Sequence, residues 1–287
     1  MPTQPTIEAF FDEPTNTVSY LVADAAGGAA VVIDPVLDFD LASGTADIRS
    51  ADRLLAAAAA HGWRIEMVLE THAHADHLSA APYIKAKTGA AIGIGEHIRD
   101  VQKIFRPMFA FDDLVPDGSD FDRLFADGER LRVGGLDIEV MHVPGHTPAD
   151  VAYRIGDAVF VGDTLFMPDS GSARCDFPGG DARVLYRSIR RVLALPPTTR
   201  LHMCHDYQPG GREPAWVSTV AEQKAQNVHV HDGVDEDSFV ALRSARDQTL
   251  GMPTLLLPAV QVNVRAGHFP PPEANGVSYL KIPLNLL

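Results

Sequence analysis

The segment Thr71-His72-Ala73-His74-Ala75-Asp76-His77 gathers three imidazoles and a carboxylate into seven residues. Imidazole nitrogens and carboxylate oxygens are the donors that hold zinc, iron and manganese. The run follows the apolar Met67-Val68-Leu69, so a strand end delivers these donors from one short turn toward one or two points in space. Metal ligation accounts for that spacing better than a solvated loop does. Three further places pair ligand types with turns: Val143-Pro144-Gly145-His146-Thr147, Val161-Gly162-Asp163-Thr164-Leu165-Phe166 and Cys204-His205-Asp206-Tyr207. A glycine stands directly before His146 and before Asp163, which suits a sharp backbone turn that presents the next side chain into a cleft.

Four such turns need a scaffold of strands that end together. Residues 16–23 and 29–34 are β-rich around Gly27-Gly28 and read as a hairpin. A helix is expected over 51–61, stopped by Gly62, followed by a strand over 65–70 that feeds the first motif. Residues 77–87 read as the next helix, 90–94 as a short strand, and 96–105 as a short helix or loop before a polar crossing over 112–128. Beyond Leu131 come short strands at 131–133, 136–142, 151–155 and 158–161, a helix at 182–194, a buried strand at 201–204, and helices at 215–227 and 235–250. Strands followed by helices, twice over, predict an α/β (α+β) protein: two mixed sheets face to face with helices outside, an αββα sandwich. No low-complexity linker divides the chain, so residues 1–287 read as one domain. Residues 251–287, proline-rich at Phe269-Pro270-Pro271-Pro272, form a C-terminal extension packed on it or on a partner subunit.

Against 24 Lys and Arg stand 38 Asp and Glu, a formal charge of -14. That balance argues against nucleic acid or an anionic membrane surface as the main partner. An anionic small molecule needs only a local basic patch. The segment MPTQPTIEAF lacks a basic stretch followed by an apolar run, and apolar stretches such as 54–60 are too short to span a bilayer. The expectation is a soluble, cytoplasmic protein whose two cysteines, Cys175 and Cys204, are free thiols.

Taken in order, the four motifs resemble the metallo-β-lactamase superfamily, in which HxHxDH is followed by a histidine, an aspartate and a histidine. The stretch Gly171-Ser172-Ala173-Arg174-Cys175-Asp176-Phe177-Pro178-Gly179-Gly180, with Cys204-His205-Asp206-Tyr207 downstream, looks like the glutathione persulfide dioxygenase branch. The tail Gln261-Val262-Asn263-Val264-Arg265-Ala266-Gly267-His268 is similar to its longer bacterial members. Ser172 stands where many relatives carry cysteine and Cys175 where they carry threonine, so no role of that cysteine carries over.

The resemblance implies one Fe(II) per chain on His72, His146 and Asp163, a two-histidine, one-carboxylate triad with open positions. Zinc or manganese is the alternative occupant as purified. His74, Asp76, His77 and His205 would then act catalytically by orienting ligands and bound water. Tyr207 would bond the substrate or oxygen, Arg174 a substrate carboxylate or its own loop, and Lys224 the glycine carboxylate of glutathione. The implied partners are glutathione persulfide and O2, with glutathione and sulfite as products, and a homodimer through 255–287.

The residues themselves leave a second use open. In a hydroxyacylglutathione hydrolase, two metals on His72, His74, His146, Asp163 and on Asp76, His77, His205 would activate a hydroxide against a thioester. An exported β-lactamase lacks its leader here, and a nuclease lacks its basic track. A flavodiiron reductase would place glutamate where His74 stands and would need a flavin domain. A metal-binding, redox-sensing module switched by Cys175 or Cys204 leaves the ordered ligand set without a purpose.

Overall fold

The computed structural model describes residues 4–24 and 26–286. The first half runs β1 (Thr6–Asp12), β2 (Thr17–Ala23), β3 (Ala29–Ile33), β4 (Val36–Asp40), β5 (Thr45–Asp47), α1 (Arg49–His61), β6 (Arg64–Leu69), β7 (Leu78–Ser79), α2 (Ala81–Thr88), β8 (Ala91–Gly95), α3 (Ile98–Met108) and β9 (Arg123–Phe125). The second half runs β10 (Arg130–Val133), β11 (Leu136–His142), β12 (Val151–Ile155), β13 (Ala158–Phe160), α4 (Ala182–Leu193), β14 (Arg200–His202), β15 (Val217–Thr219), α5 (Val220–Gln226), α6 (Glu236–Asp247) and α7 (Leu256–Asn263).

One six-stranded sheet has the order β1-β2-β3-β6-β8-β9, antiparallel as far as β3 and parallel from there on. The other runs β10 to β15 in sequence order, antiparallel except for the parallel β13–β14 pair. Strands β2 and β3 are buried at every position because both of their faces are covered. Val18, Tyr20, Val31, Ile33 and Leu69 meet Ile138, Val140, Tyr153 and Phe160 between the sheets. On the outer face of the first sheet, Leu21, Val32 and Val68 pack with Leu54, Ile84, Ile98 and Val260 from helices. On the outer face of the second, Val159 and Leu201 pack with Leu185, Ile189 and Phe239. The αββα sandwich is therefore built as expected, with mixed sheets.

The helix expected over 77–87 starts later, at Ala81, with Pro82 in its first turn. Proline tolerates that position but not one deeper in a helix. The preceding Leu78-Ser79 pairs with β4 instead. The helix expected over 215–227 divides: Val217–Thr219 closes the second sheet against β14, and Thr219 then starts α5 through a reciprocal capping box with Glu222. Strand β1 and the β4–β5 hairpin are additional to the sequence expectations. The C-terminal α7 is almost wholly buried, whereas later apolar side chains such as Ile282 (69%) and Leu284 (82%) are exposed. Both cysteines are free and buried. Among the described residues, no helix is long and apolar enough to cross a membrane.

Candidate metal centre

The first motif leaves the end of β6, and a carboxylate from the neighbouring strand shapes it. Asp34, just past β3, accepts from Thr71 N at 2.7 Å and from Thr71 Oγ1 at 2.8 Å. With its proton given to Asp34, the Thr71 hydroxyl accepts from His72 Nδ1 at 3.0 Å, which leaves His72 Nε2 as the free lone pair.

The two glycines before the other candidate ligands have steric reasons. Gly145 has φ 137°, and a Cβ there would lie 2.3 Å from the Leu185 backbone. Gly162 has φ 52°, and a Cβ would lie 2.8 Å from Thr71. The His146 turn is braced by Asp150, which accepts from Thr147 N at 2.7 Å and Oγ1 at 2.6 Å and whose pKa burial raises to about 6. His146 Nδ1 donates to Arg174 O at 2.8 Å, so its Nε2 faces Asp163 Oδ2, 3.5 Å away. His72 Nε2 is 4.0 Å from the same oxygen.

Ligand atoms of His72, His146 and Asp163 thus lie within 4.8 Å of one another. The three residues are 1%, 4% and 6% exposed. His72 Nε2 and Asp163 Oδ1 are buried without a hydrogen-bond partner, as are both ring nitrogens of His74, His77 Nε2 and His205 Nε2. Leaving such groups unanswered is costly, about 1–3 kcal/mol each. A cation answers a carboxylate and neutral imidazoles at once, so this donor set fits a metal ion. Burial, with His74 and His146 beside it, holds the His72 pKa well below the ordinary imidazole value, keeping the ring neutral as a ligand must be.

His74 meets carboxylates at one ring nitrogen and leaves the other, Nδ1, buried without a partner beside Asp76 and His77. Its Nε2 is 3.0 Å from Asp34 Oδ1 and 3.6 Å from Glu70 Oε2. Burial disfavours its charge, but Asp34 outweighs that and raises its pKa well above the ordinary value. Asp76 Oδ2 lies 3.2 Å from His77 Nδ1 and 3.4 Å from His205 Nε2, and accepts from Thr17 Oγ1 at 3.1 Å. His205 Nε2 is also 3.3 Å from Asp163 Oδ1. Burial opposes its charge too, yet Asp76 and then Asp163 raise its pKa.

Above this floor opens a cavity of about 930 Å³, lined by His146, Asp163 and Asp76 together with Phe39, Leu41, Phe166, Phe177, Tyr207 and Arg174. Tyr207 is half exposed, and its ring centroid is 5.8 Å from that of His205 and 5.6 Å from that of Phe166. Lys224 is outside the cavity lining and faces Asp232 at 3.8 Å, so the structure does not bring it to the other candidates. Arg174 lies on the wall with its fork occupied. Nε and Nη2 donate to Asp176 at 2.6 and 2.7 Å, Nη1 donates to Gly251 O at 2.7 Å, and the guanidinium caps Phe177 at 4.6 Å. It therefore ties its own loop to the start of the C-terminal extension. An Arg174→Lys variant keeps the charge but loses the planar fork. We expect a loss of about 1–2 kcal/mol in a melting experiment and a raised KM. Unchanged values for both would make Arg174 a solvated charge.

The sequence reading missed Asn263. From the end of α7 its Nδ2 donates to His74 O at 2.9 Å and to His77 O at 2.8 Å, and its Oδ1 accepts from Ser79 N at 2.9 Å. One buried amide thus fixes both ends of the His74–His77 turn. Asn263→Leu would leave two carbonyls and an N–H unpaired. Denaturant unfolding should show a loss of about 3 kcal/mol, at about 1 kcal/mol per bond; a change under about 1 kcal/mol would show that the turn holds itself.

A profile of the metallo-beta-lactamase superfamily matches residues 12–205, most of the chain and all of the cluster just described. The chain belongs to this superfamily. Within the metallo-beta-lactamase superfamily, a Burkholderia pseudomallei (strain 1710b) protein described as "probable metallo-hydrolase" is 57% identical over 293 residues, covering 98% of this chain and 100% of that one. The "beta-lactamase hydrolase-like protein" of Agrobacterium fabrum is 53% identical over 283 residues. That match covers 99% of this chain but 65% of the relative, so the chain spans less than two thirds of its length. Among solved structures, ETHE1 from Myxococcus xanthus is similar with a TM-score of 0.74 at 30% identity, covering 92% of this chain and 100% of that chain.

Proposed function

We propose that the protein is a persulfide dioxygenase that converts glutathione persulfide, O2 and water to glutathione and sulfite, with one Fe(II) per chain on His72, His146 and Asp163. The observation that carries this reading is the likeness to ETHE1 over 92% of this chain at 30% identity, together with the convergence of His72, His146 and Asp163. Ligand atoms of His72, His146 and Asp163 lie within 4.8 Å of one another, with His72 Nε2 and Asp163 Oδ1 unpartnered; His74 holds Asp34 at Nε2 and leaves Nδ1 unpartnered, and the Asp76 carboxylate lies between His77 and His205. The sequence resemblance to the persulfide dioxygenase branch and the likeness to ETHE1 support the same branch.

Bound on this triad, iron(II) supplies a redox change and open positions where sulfur and dioxygen can meet; zinc or manganese can take the same donors. The chain's own groups do the rest. Thr71 and the Arg174 carbonyl fix the ring orientation of His72 and His146 through their Nδ1 atoms. His205, between Asp76 and Asp163, is placed to hold a proton beside the carboxylate ligand. Phe166, Phe177 and Tyr207 form an apolar wall against the substrate and keep water away from the reacting sulfur. The reading takes residues 1–287 as one domain and the protein as a cytoplasmic homodimer whose contact includes the extension from 251 onward.

A hydroxyacylglutathione hydrolase of Rhodospirillum rubrum, 35% identical over 190 residues that cover 66% of this chain and 61% of that one, favours a second reading, the binuclear hydroxyacylglutathione hydrolase. It would also use the donors His74, Asp76 and His77, whose ligand atoms likewise lie within 4.8 Å of one another, with His74 Nδ1 free while Nε2 stays on Asp34. Iron-loaded protein given glutathione persulfide separates the two: oxygen consumption at about one iron per chain supports the dioxygenase. Two metals that are both required for turnover, with no oxygen consumed, would move the assignment to the hydrolase.

A further inference from the structure

The cavity above the cluster carries several charged side chains, and nearly all of them are answered within the fold. Asp76 and Asp163 face imidazoles. Asp169 pairs with Arg212 at 2.6 and 2.9 Å, and Asp40 accepts from Ser43 N and Oγ in its own turn at 2.7 Å. Arg174 holds Asp176 and Gly251 O, as above. Arg243, fully buried, donates to Asp247 at 2.8 Å and to Ser172 O at 3.0 Å. Arg246 is the exception. It lies in the last turn of α6 and lines the cavity, and among the described residues its guanidinium makes no hydrogen bond and no ion pair.

Arg246 is exposed at the cavity, whose lining also includes the apolar Leu250 and Leu255, so its fork is open to a ligand entering from solvent. The chain carries a formal charge of -14, so an anionic substrate is repelled at long range unless a local cation receives it. A guanidinium presents a planar fork that matches a carboxylate in two places. The cavity, at about 930 Å³, is within the size range of small-molecule sites and has room for a tripeptide.

We infer that Arg246 is the carboxylate anchor of this site, the residue that receives a carboxylate of the substrate at the cavity wall away from the metal-binding cluster. The inference rests on the persulfide dioxygenase reading. Arg246 touches substrate away from the reacting sulfur, so its loss should appear as weaker binding, in KM rather than in kcat.

The test compares the parent with Arg246→Ala and Arg246→Lys, all iron-loaded, by calorimetric titration with glutathione and by the KM for glutathione persulfide. Arg246→Ala should weaken glutathione binding and raise KM by about 10-fold, the size of one charge-assisted contact, and Arg246→Lys should recover part of the loss. Esterifying both glutathione carboxylates should weaken binding to the parent by a similar factor and to Arg246→Ala by little more. With inorganic hydrogen disulfide, which has no carboxylate, parent and Arg246→Ala should have the same KM. Binding and KM within twofold of the parent in Arg246→Ala would overturn the anchor, as would a parent that does not bind glutathione. A parent that binds glutathione through Arg246 but consumes no oxygen would leave the anchor standing and sink the dioxygenase reading instead.

Discussion

Replacing His146 or Asp163 with alanine is expected to remove both the iron and the turnover, whereas replacing His74 with alanine leaves the iron in place. Losing an outer partner of a metal site typically costs about 10- to 100-fold in affinity or activity, and losing a direct ligand costs more. His146 Nε2 and Asp163 Oδ2 face each other at 3.5 Å, so either substitution removes one of three convergent donors. His74 sits beside the cluster but points to Asp34 at 3.0 Å and Glu70 at 3.6 Å. Its removal strands a buried carboxylate, so that variant should lose stability, by about 3–5 kcal/mol, while its folded fraction keeps about one iron per chain. Metal analysis on the folded fraction of each variant, beside a melting curve, checks this. Equal metal loss from all three would show that His74 is a ligand and that the cluster is not the triad described above.

Exchange of the metal should have an effect of the same size. Chelation should stop oxygen uptake, Fe(II) should restore it, and Zn(II) should bind without restoring it, because zinc has no accessible redox step. Every nitrogen and oxygen in the triad is a competent zinc donor, so loss of activity in the zinc form reports the chemistry rather than an empty site. A hydrolase would behave in the opposite way and work with zinc. Oxygen consumption by the zinc form would contradict the redox role assigned to the metal.

The four donor-bearing turns were legible in the sequence because each is local: donors directly after a strand end, and in two of them a glycine, Gly145 or Gly162, whose reason is steric. The sandwich followed from the same strand ends. The partner of His74 was not legible, because Asp34, which meets its Nε2, arrives from another strand. Asn263 was invisible for a similar reason. Its three hydrogen bonds reach back more than 180 residues, and nothing in Gln261-Val262-Asn263 indicates where an amide will land. The helices misplaced at 77–87 and 215–227 each turned on one local device, Pro82 and the Thr219–Glu222 box, that was present in the sequence and outweighed helix propensity. Lys224 was placed by residue type alone, and the unpaired guanidinium on the cavity wall belongs to Arg246 instead, which only the full set of ion pairs reveals.

The central claim is that this fold oxidises a sulfur with dioxygen rather than hydrolysing a thioester. An oxygen-electrode trace recorded on anaerobically purified, Fe(II)-loaded protein, beside a thioester assay on the same preparation, tests it most directly. With glutathione persulfide the account predicts oxygen uptake matched by sulfite release, and with lactoylglutathione little or no cleavage. Rapid thioester cleavage with no oxygen uptake, retained when zinc replaces iron, would contradict it and place the protein among the hydrolases of the same superfamily.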